Sequence, residues 1–320
     1  MADSPGSSAR PDAERRAAGA GRKLAPDPRV AERLAHLTLT ASRAVEGFLT
    51  GRHRSPHRGV SVEFVERRPY VQGDDLRHLD WKAFARNDRL ALKRYEEETN
   101  LECTLMVDAS ASMAFPQDGR PTKYDYAAQV AAAISQLVLR ERDGAALALF
   151  DQVLDRVVPS STAPGHLEPI LLNLAERAPA GTTDLGAALG RLVQRIPRPG
   201  LVVVVSDLFG PVDGLSTGLG QLRARRHDVI VLHVLHEDEL RFPFDRLTRF
   251  EGLEDDSRLL VDPLALREGY LASLSAWRAE VRRACSTSAV DYHLLDTSTP
   301  LDVALSVYLG ARMARLGAGA

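Results

Sequence analysis

Three oxygen-bearing residues stand at alternate positions in the stretch CTLMVDASASM, residues 103–113. Asp108 ends an apolar run, and Ser110 and Ser112 follow it, each preceded by an alanine. Because alternate residues of an extended segment point to the same side, this spacing can direct three oxygens at one point. Carboxylate and hydroxyl oxygens are the hard donors that Mg²⁺, Mn²⁺ and Ca²⁺ prefer over zinc or copper. The stretch therefore predicts part of a site for a hard divalent cation.

Two further segments carry oxygens that belong to the same prediction. Asp207 ends the Val-rich run LVVVVSD, and Gly181, Thr182, Thr183 and Asp184 open a helical pattern in AGTTDLGAAL. In open α/β sheets, ligands bind at the carboxyl ends of strands near the point where the strand order reverses. We therefore expect all three segments to meet at one edge. Since hydroxyl ligands leave a divalent cation incompletely neutralised, such an ion should attract an external carboxylate.

Strand and helix patterns that can position these residues alternate after Asn100. Predicted strands occupy residues 101–108, 144–150, 200–209, 228–235 and 290–296. Predicted helices occupy residues 123–142, 165–177, 184–196, 211–226, 264–285 and 301–316. This alternation predicts an α/β fold with a mainly parallel sheet and helices on both of its faces.

The first hundred residues have a different character. Residues 1–26 are rich in Ala, Gly, Pro, Ser and Arg and predict a disordered tail. Apolar residues then recur at helical spacing from Asp27 to about Thr50, which predicts an amphipathic helix that stops near Gly51. Short strands and turns are expected around SVEFVE and LALKRYEE. We thus divide the chain into a tail at 1–26, an N-terminal helical and β subdomain at 27–100, and an α/β domain at 101–316.

The overall composition excludes several classes of protein. The chain has 320 residues, is 44% hydrophobic and carries a formal net charge of -2, which gives no indication of nucleic-acid binding. Its two cysteines, Cys103 and Cys285, have no metal-site spacing and suit buried thiols in a reducing cytosol. No apolar run reaches the roughly eighteen residues that a membrane span needs, and no signal-peptide core is present.

The three oxygen-bearing segments together resemble the metal-ion-dependent adhesion site of von Willebrand factor A domains. The resemblance implies a von Willebrand factor A-like, Rossmann-type domain and a non-enzymatic role in protein binding that depends on Mg²⁺, or on Mn²⁺ or Ca²⁺. Some of the carboxylates would act through water. Thr183 fits the spacing better than Thr182. By resemblance, the metal ligands are Asp108, Ser110, Ser112, Thr183 and Asp207.

The segment before residue 100 resembles a narrower group, the bacterial family called domain of unknown function 58. Its pattern contains the runs SVEF, GDD and DWK, and the resemblance extends from about Thr50 to Asp207. It implies that the chain is an adaptor or chaperone-like partner of a MoxR-type AAA+ ATPase or of that ATPase's client. Many members carry N-terminal membrane helices, which are not evident here, so we expect a cytoplasmic form. The matching residues are Gly51, His53, Ser55, Gly59, Glu63, Phe64, Arg67, Tyr70, Gly73, Asp74, Asp75, Arg77, Asp80, Trp81, Lys82, Ala85 and Arg86.

The charged and aromatic residues of this segment have two interpretations. They can form a structural ion-pair network in which Tyr70 and Trp81 anchor the segment on the domain. They can also form a partner-docking surface, since exposed Arg, Trp and Tyr are frequent binding hot spots. A purely structural scaffold that docks through the Tyr70–Arg86 face therefore stays open as an alternative function. The candidate docking residues are Arg67, Tyr70, Asp74, Asp75, Arg77, Asp80, Trp81 and Arg86.

An enzymatic alternative is a metal-dependent phosphoester hydrolase that uses Asp108 as its nucleophile at a strand end. Such sites usually carry a second acid two residues later, and this chain has Ser110 there. No Walker A or G-x-S-x-G motif occurs in the sequence. His233 and His236 fail the H-E-x-x-H pattern, because position 240 is Leu, and are predicted to be strand and turn residues.

Overall fold

The computed structural model describes residues 27–52, 67–69, 91–93 and 101–305, with side chains described for 27–47 and 101–305. The strands of this part of the chain are β1 (Arg67–Pro69), β2 (Ala91–Lys93), β3 (Glu102–Asp108), β4 (Gly144–Phe150), β5 (Leu154–Ser161), β6 (Leu201–Ser206), β7 (Asp228–Leu235), β8 (Thr248–Glu251), β9 (Arg258–Val261) and β10 (Asp291–Asp296). The α-helices are α1 (Pro28–Arg52), α2 (Lys123–Arg140), α3 (Leu167–Glu176), α4 (Leu185–Arg195), α5 (Val212–Ala224), α6 (Glu237–Arg241) and α7 (Pro263–Thr287). A 3₁₀-helix spans Ala111–Ala114, and residues 301–305 are also helical.

The central sheet has six strands in the order β5-β4-β3-β6-β7-β10. Every neighbouring pair is parallel except β4 and β5, which are antiparallel. The mainly parallel sheet predicted from the sequence is confirmed. The chain first moves outward from β3 to β4 and β5, and then returns to β6 on the other side of β3. The strand order therefore reverses between β3 and β6, which is where an open α/β sheet binds its ligands.

The middle strands are buried on both faces, as their apolar runs predict. In β6, Val203 and Val205 face a core shared with α2, whereas Val202 and Val204 face a second core lined by α4, α5 and α7. Helices thus cover both faces of the sheet. Val107 of β3 is paired with Val205 of β6, so the carboxyl ends of these two strands lie side by side.

The predicted amphipathic helix near the N-terminus is confirmed as α1, which continues to Arg52, one residue beyond the expected stop at Gly51. Its apolar stripe includes Leu37, Ala41 and Val45, all of which are buried. These side chains belong to the same core as β3 and α2, and α1 packs on α2 and α3. The helix that the sequence assigns to a separate subdomain therefore contributes to the core of the α/β domain.

Several elements were not expected from the sequence. The edge strand β5 is antiparallel, and β8 and β9 pair as an antiparallel hairpin between α6 and α7. Strand β2 lies within the predicted segment LALKRYEE, whereas β1 follows SVEFVE and pairs with β2. The predicted tail at 1–26 and most of the final helix at 301–316 lie outside the described residues.

Two further findings concern the described residues alone. Cys103 and Cys285 are both buried and form no disulfide bond, as predicted. None of the described helices combines the length and apolarity that crossing a bilayer requires.

Candidate metal centre

Asp108 lies at the carboxyl end of β3 and is fully buried. Its Oδ1 accepts a hydrogen bond from the backbone N–H of Ser110 at 2.9 Å. Its Oδ2 accepts one from the hydroxyl of Ser206, the last residue of β6, at 2.6 Å. The two neighbouring strands at the switch point thus fix the orientation of this carboxylate.

Three hydroxyl groups surround the Asp108 carboxylate, and we call Ser110, Ser112 and Thr183 the hydroxyl cluster. The Oγ atoms of Ser110 and Ser112 lie 3.1 Å apart. The Oγ1 of Thr183 lies 3.4 Å from Oδ1 of Asp108. Thr183 is half-buried, whereas Thr182 is exposed, so the geometry favours Thr183 as the sequence did. Four of the five predicted ligands are therefore close together.

The loop that carries Thr183 is attached to the Ser110–Ser112 loop by two backbone hydrogen bonds. Ala180 donates to the carbonyl of Ala109, and Ala111 donates to the carbonyl of Gly181, each at 2.9 Å. Gly181 has a φ of +79°, a left-handed conformation that residues with a Cβ rarely adopt. The glycine therefore lets the chain turn back so that Thr183 faces Asp108.

Asp207 follows β6 and is fully buried, and each of its oxygens has a partner outside the hydroxyl cluster. Oδ2 forms an ion pair with Nζ of Lys123 at 2.8 Å, and Oδ1 accepts a hydrogen bond from Phe209 at 3.2 Å. Lys123 is itself buried at the start of α2 and also pairs with Glu239 of α6 at 2.7 Å. An ammonium group thus compensates the second carboxylate of the predicted site.

The electrostatics of the site follow from this burial. Burial, together with the negative charge of Asp207, raises the pKa of Asp108 to about 7, although hydrogen bonds from Ser206 and Ser110 oppose this effect. Burial alone would lower the pKa of Lys123, but the charges of Asp207 and Glu239 outweigh it and raise that pKa. In the folded protein Lys123 is therefore charged, and Asp108 is the carboxylate whose charge is least compensated.

An aromatic wall lies behind Asp207. The ring of Phe209 stacks on Trp277 of α7 with centroids 5.0 Å apart, and Nζ of Lys123 lies 4.8 Å from the Phe209 centroid. His233 meets Trp277 edge-on and shares a hydrogen bond of 2.8 Å with the hydroxyl of Tyr292. Burial lowers the pKa of His233 to about 3, so this ring is neutral in the fold. It is a strand residue, as predicted.

His236, the other histidine singled out in the sequence, caps α6. Its Nδ1 accepts a hydrogen bond from the backbone N–H of Asp238 at 3.1 Å. This agrees with the prediction of a turn residue. Across the described part of the chain, no group of three or more His, Cys, Asp or Glu side chains is arranged to hold a metal ion, so the candidate centre depends on hydroxyl donors.

The predicted docking surface is not described by the structure. Arg67 lies in β1 without a described side chain, and the other seven residues, from Tyr70 to Arg86, lie outside the described residues. The docking surface therefore stays a prediction.

Four site residues were missed by sequence reasoning. Ser206 immediately precedes the predicted ligand Asp207 and could have been included on that ground. Lys123, Glu239 and Glu254 reach the site from separate segments, and no spacing in the sequence connects them to it. Glu254 lies between β8 and β9, and its Oε2 accepts a hydrogen bond from the backbone N–H of Thr183 at 3.2 Å.

Known proteins similar to this chain include relatives from mycobacteria. Rv1480 from Mycobacterium tuberculosis is 31% identical over 264 residues, which cover 80% of this chain and 81% of Rv1480. MAV169 from Mycobacterium avium is 28% identical over 130 residues, which cover 39% of this chain and 76% of MAV169.

Solved structures similar to this chain include two with low sequence identity. BatB from Bacteroides thetaiotaomicron matches with a TM-score of 0.44 and 18% identity, over 68% of this chain and 100% of that chain. The SpRpn10 VWA domain matches with a TM-score of 0.40 and 11% identity, over 64% of this chain and 94% of that chain.

The family resemblance seen in the sequence is confirmed by a direct match. The model of the family described as protein of unknown function DUF58 matches residues 66–280, which is more than half of the chain. The match includes the signature residues from Tyr70 to Arg86 and the strand-end motifs that contain Asp108, Thr183 and Asp207. The chain is a member of the DUF58 family.

Proposed function

We propose that this chain is a protein-binding module that holds a divalent cation at the hydroxyl cluster and uses it to capture an acidic side chain of a partner. The observation that carries the proposal is the spacing of the oxygens. Octahedral Mg²⁺ has ligands at about 2.1 Å, so that adjacent ligand oxygens lie about 3.0 Å apart. The Ser110 and Ser112 oxygens are separated by 3.1 Å, close to that value.

The charge of the site supports capture of an anion. Ser110, Ser112 and Thr183 are neutral donors, and Asp207 is already paired with Lys123. Asp108 would therefore supply most of the negative charge that a divalent cation meets. A cation held in this way keeps a net positive charge and attracts a carboxylate from outside. Mg²⁺ is the ion we favour, with Mn²⁺ or Ca²⁺ as substitutes, since all three prefer oxygen donors.

The contacts of Asp108 give no comparable support to the hydrolase alternative. A nucleophilic aspartate must present one carboxylate oxygen to the phosphorus atom. Asp108 is fully buried, and the Ser206 hydroxyl holds its Oδ2. Its Oδ1 is held by the Ser110 amide. These contacts suit a carboxylate that orients hydroxyl ligands better than one that attacks a substrate.

The partner we propose is a MoxR-type AAA+ ATPase or its client, for which the chain would act as an adaptor. This assignment follows from the family resemblance of the sequence. A partner that hydrolyses ATP works where ATP is available, so the proposal places the protein in the cytoplasm. We also propose the predicted docking residues, Arg67 and those from Tyr70 to Arg86, as a second binding site for such a partner.

Two adjacent threonines allow a matched test of the cation site. Thr183→Val removes a hydroxyl of the cluster, whereas Thr182→Val changes an exposed neighbour. In calorimetric titrations with Mn²⁺, we expect Thr183→Val to weaken binding by about tenfold or more and Thr182→Val to change it by less than about twofold. Equal affinities for the two variants would contradict the assignment of Thr183.

A second experiment tests the partner. The purified chain and a MoxR-type ATPase from the same genome are mixed in Mg²⁺ and in EDTA, and complex formation is measured by co-purification. We expect a complex in Mg²⁺ that is lost in EDTA and in the Asp108→Ala variant. A complex that persists in EDTA would refute the metal bridge. If Trp81→Ala abolishes the complex and Asp108→Ala does not affect it, the result would instead support the scaffold alternative.

A further inference from the structure

The hairpin of β8 and β9 has an acidic tip, which we define as residues 252–257. The tip contains Glu254, Asp255 and Asp256 in succession. Asp255 and Asp256 are exposed, whereas Glu254 is half-buried and its Oε2 accepts the hydrogen bond from the Thr183 backbone N–H. A carboxylate from a segment 71 residues away thus contacts the backbone of a residue of the hydroxyl cluster.

The second carboxylate oxygen of Glu254 differs from the first in that it has no hydrogen-bond partner. This oxygen, Oε1, is buried. Buried carboxylate oxygens are normally paired, because leaving one unpaired has a substantial desolvation cost. No ion pair of Glu254 is found within the described part of the chain. A cation at the hydroxyl cluster would satisfy this oxygen.

The hairpin presents Glu254 from an ordered position. Within the tip, Gly252 donates to the carbonyl of Ser257 at 2.8 Å, which closes the turn. In β8, Phe250 stacks on Phe242 with centroids 5.6 Å apart and meets Phe244 edge-on. The tip that carries Glu254 is therefore closed by its own backbone, and it adjoins a strand that an aromatic cluster anchors.

We propose that Glu254 is an intramolecular ligand of the cation site. This inference rests on the proposed function, in which the site has a position for an acidic side chain of a partner. Oε1 of Glu254 fills that position when no partner is bound, while Oε2 keeps its bond to Thr183. A partner carboxylate must then displace Glu254 from the cation. Glu254 and the partner therefore compete for the same ligand position.

Glu254→Gln and Asp256→Asn form a matched pair for the test. The glutamine keeps an oxygen for the Thr183 N–H but loses the charge, and Asp256 is an exposed acid of the same tip. The full chain is titrated with Mn²⁺ by calorimetry. We expect Glu254→Gln to weaken Mn²⁺ binding by about tenfold and Asp256→Asn by less than about twofold, since affinity depends on the charge of the ligands.

Hydrogen exchange of the hairpin tip gives a readout that is independent of affinity. We expect Mn²⁺ to slow exchange at residues 252–257 in the wild type and to leave it unchanged in Glu254→Gln. If the wild type binds Mn²⁺ and Glu254→Gln binds it equally well with an equally protected tip, the role of Glu254 is wrong and the cation site stands. If the wild type binds no Mn²⁺, the proposed function and this inference fail together.

Discussion

Replacement of Lys123 by methionine tests the electrostatic design of the site. Lys123 is buried, and its ammonium group lies 2.8 Å from Asp207 and 2.7 Å from Glu239. Methionine has a similar length and no charge, so that the substitution leaves a fully buried Asp207 without its cation. We expect Lys123→Met to lower the free energy of unfolding in the absence of a metal.

The size of the loss follows from the distances. At an effective dielectric constant of about 20, two unit charges 2.8 Å apart attract each other by about 6 kcal/mol. Burying the ammonium group away from water in the wild type costs several kcal/mol, which offsets part of this attraction. Removing one partner of a buried ion pair therefore costs about 3–5 kcal/mol in total. We expect a loss in this range.

The assay is urea unfolding followed by circular dichroism, in EDTA and again in Mn²⁺. Arg140→Met is the matched control, since Arg140 is exposed in the last turn of the same helix and should change stability by less than about 1 kcal/mol. In Lys123→Met the uncompensated Asp207 should attract the added cation more strongly. Mn²⁺ should therefore stabilise this variant more than it stabilises the wild type.

Two outcomes would refute this reasoning. A loss of less than about 1 kcal/mol in EDTA would mean that Lys123 and Asp207 do not form a buried pair of the kind described. Equal stabilisation of the variant and the wild type by Mn²⁺ would mean that Asp207 lies too far from the cation to affect it.

Three more predictions concern other parts of the molecule. Because His233 is neutral in the fold with a pKa of about 3 and charges near its ordinary 6.5 once unfolded, its own contribution should lower stability by roughly 1.4 kcal/mol per unit of acidification below pH 6.5. The raised pKa of Asp108 acts in the opposite direction over this range, so the effect of His233 is measured by substitution. Between pH 7 and pH 5, acidification should cost His233→Gln about 2 kcal/mol less stability than it costs the wild type, measured by urea unfolding, and an equal change in both proteins would contradict this. Gly181→Ala should lower the free energy of unfolding by about 1–2 kcal/mol, because φ of this residue is +79°. It should also weaken Mn²⁺ binding by displacing Thr183, and an unchanged affinity would show that the turn at Gly181 does not position the cation site. Leu37→Ala should cost about 2–5 kcal/mol if α1 belongs to the core, against less than about 1 kcal/mol for the exposed Leu39→Ala, in the same assay.

Much of the fold was predictable because local patterns decide it. The runs that became β3, β4, β6 and β7 are apolar on both faces, a pattern that the centre of a parallel sheet requires. Asp108 and Asp207 mark the ends of two such runs, and Gly181 marks the turn before Thr183. Strand β5 was missed because only Leu154 and Val158 are buried among its polar residues, a weak signal for an edge strand.

The parts of the site that were missed depend on contacts between distant segments. Lys123 and Asp207 are separated by 84 residues, and nothing in the helical pattern of α2 indicates that its first residue faces Asp207. Glu254 lies in a charged turn that resembles any solvated loop. Such pairings follow from how the helices and the hairpin pack over the sheet, and the sequence periods do not specify that packing.

Because Phe209 stacks on Trp277, this tryptophan is an intrinsic fluorescence probe of the candidate site. The chain has two tryptophans, and Trp277 contacts the rings of both His233 and Phe209. Indole emission responds to the polarity and charge around the ring. Any rearrangement of Phe209, whether caused by a cation, a proton on His233 or a partner, should therefore change the fluorescence of Trp277. Replacing Trp81 with phenylalanine would isolate that signal, so that events at the strand ends could be followed in solution without an attached dye.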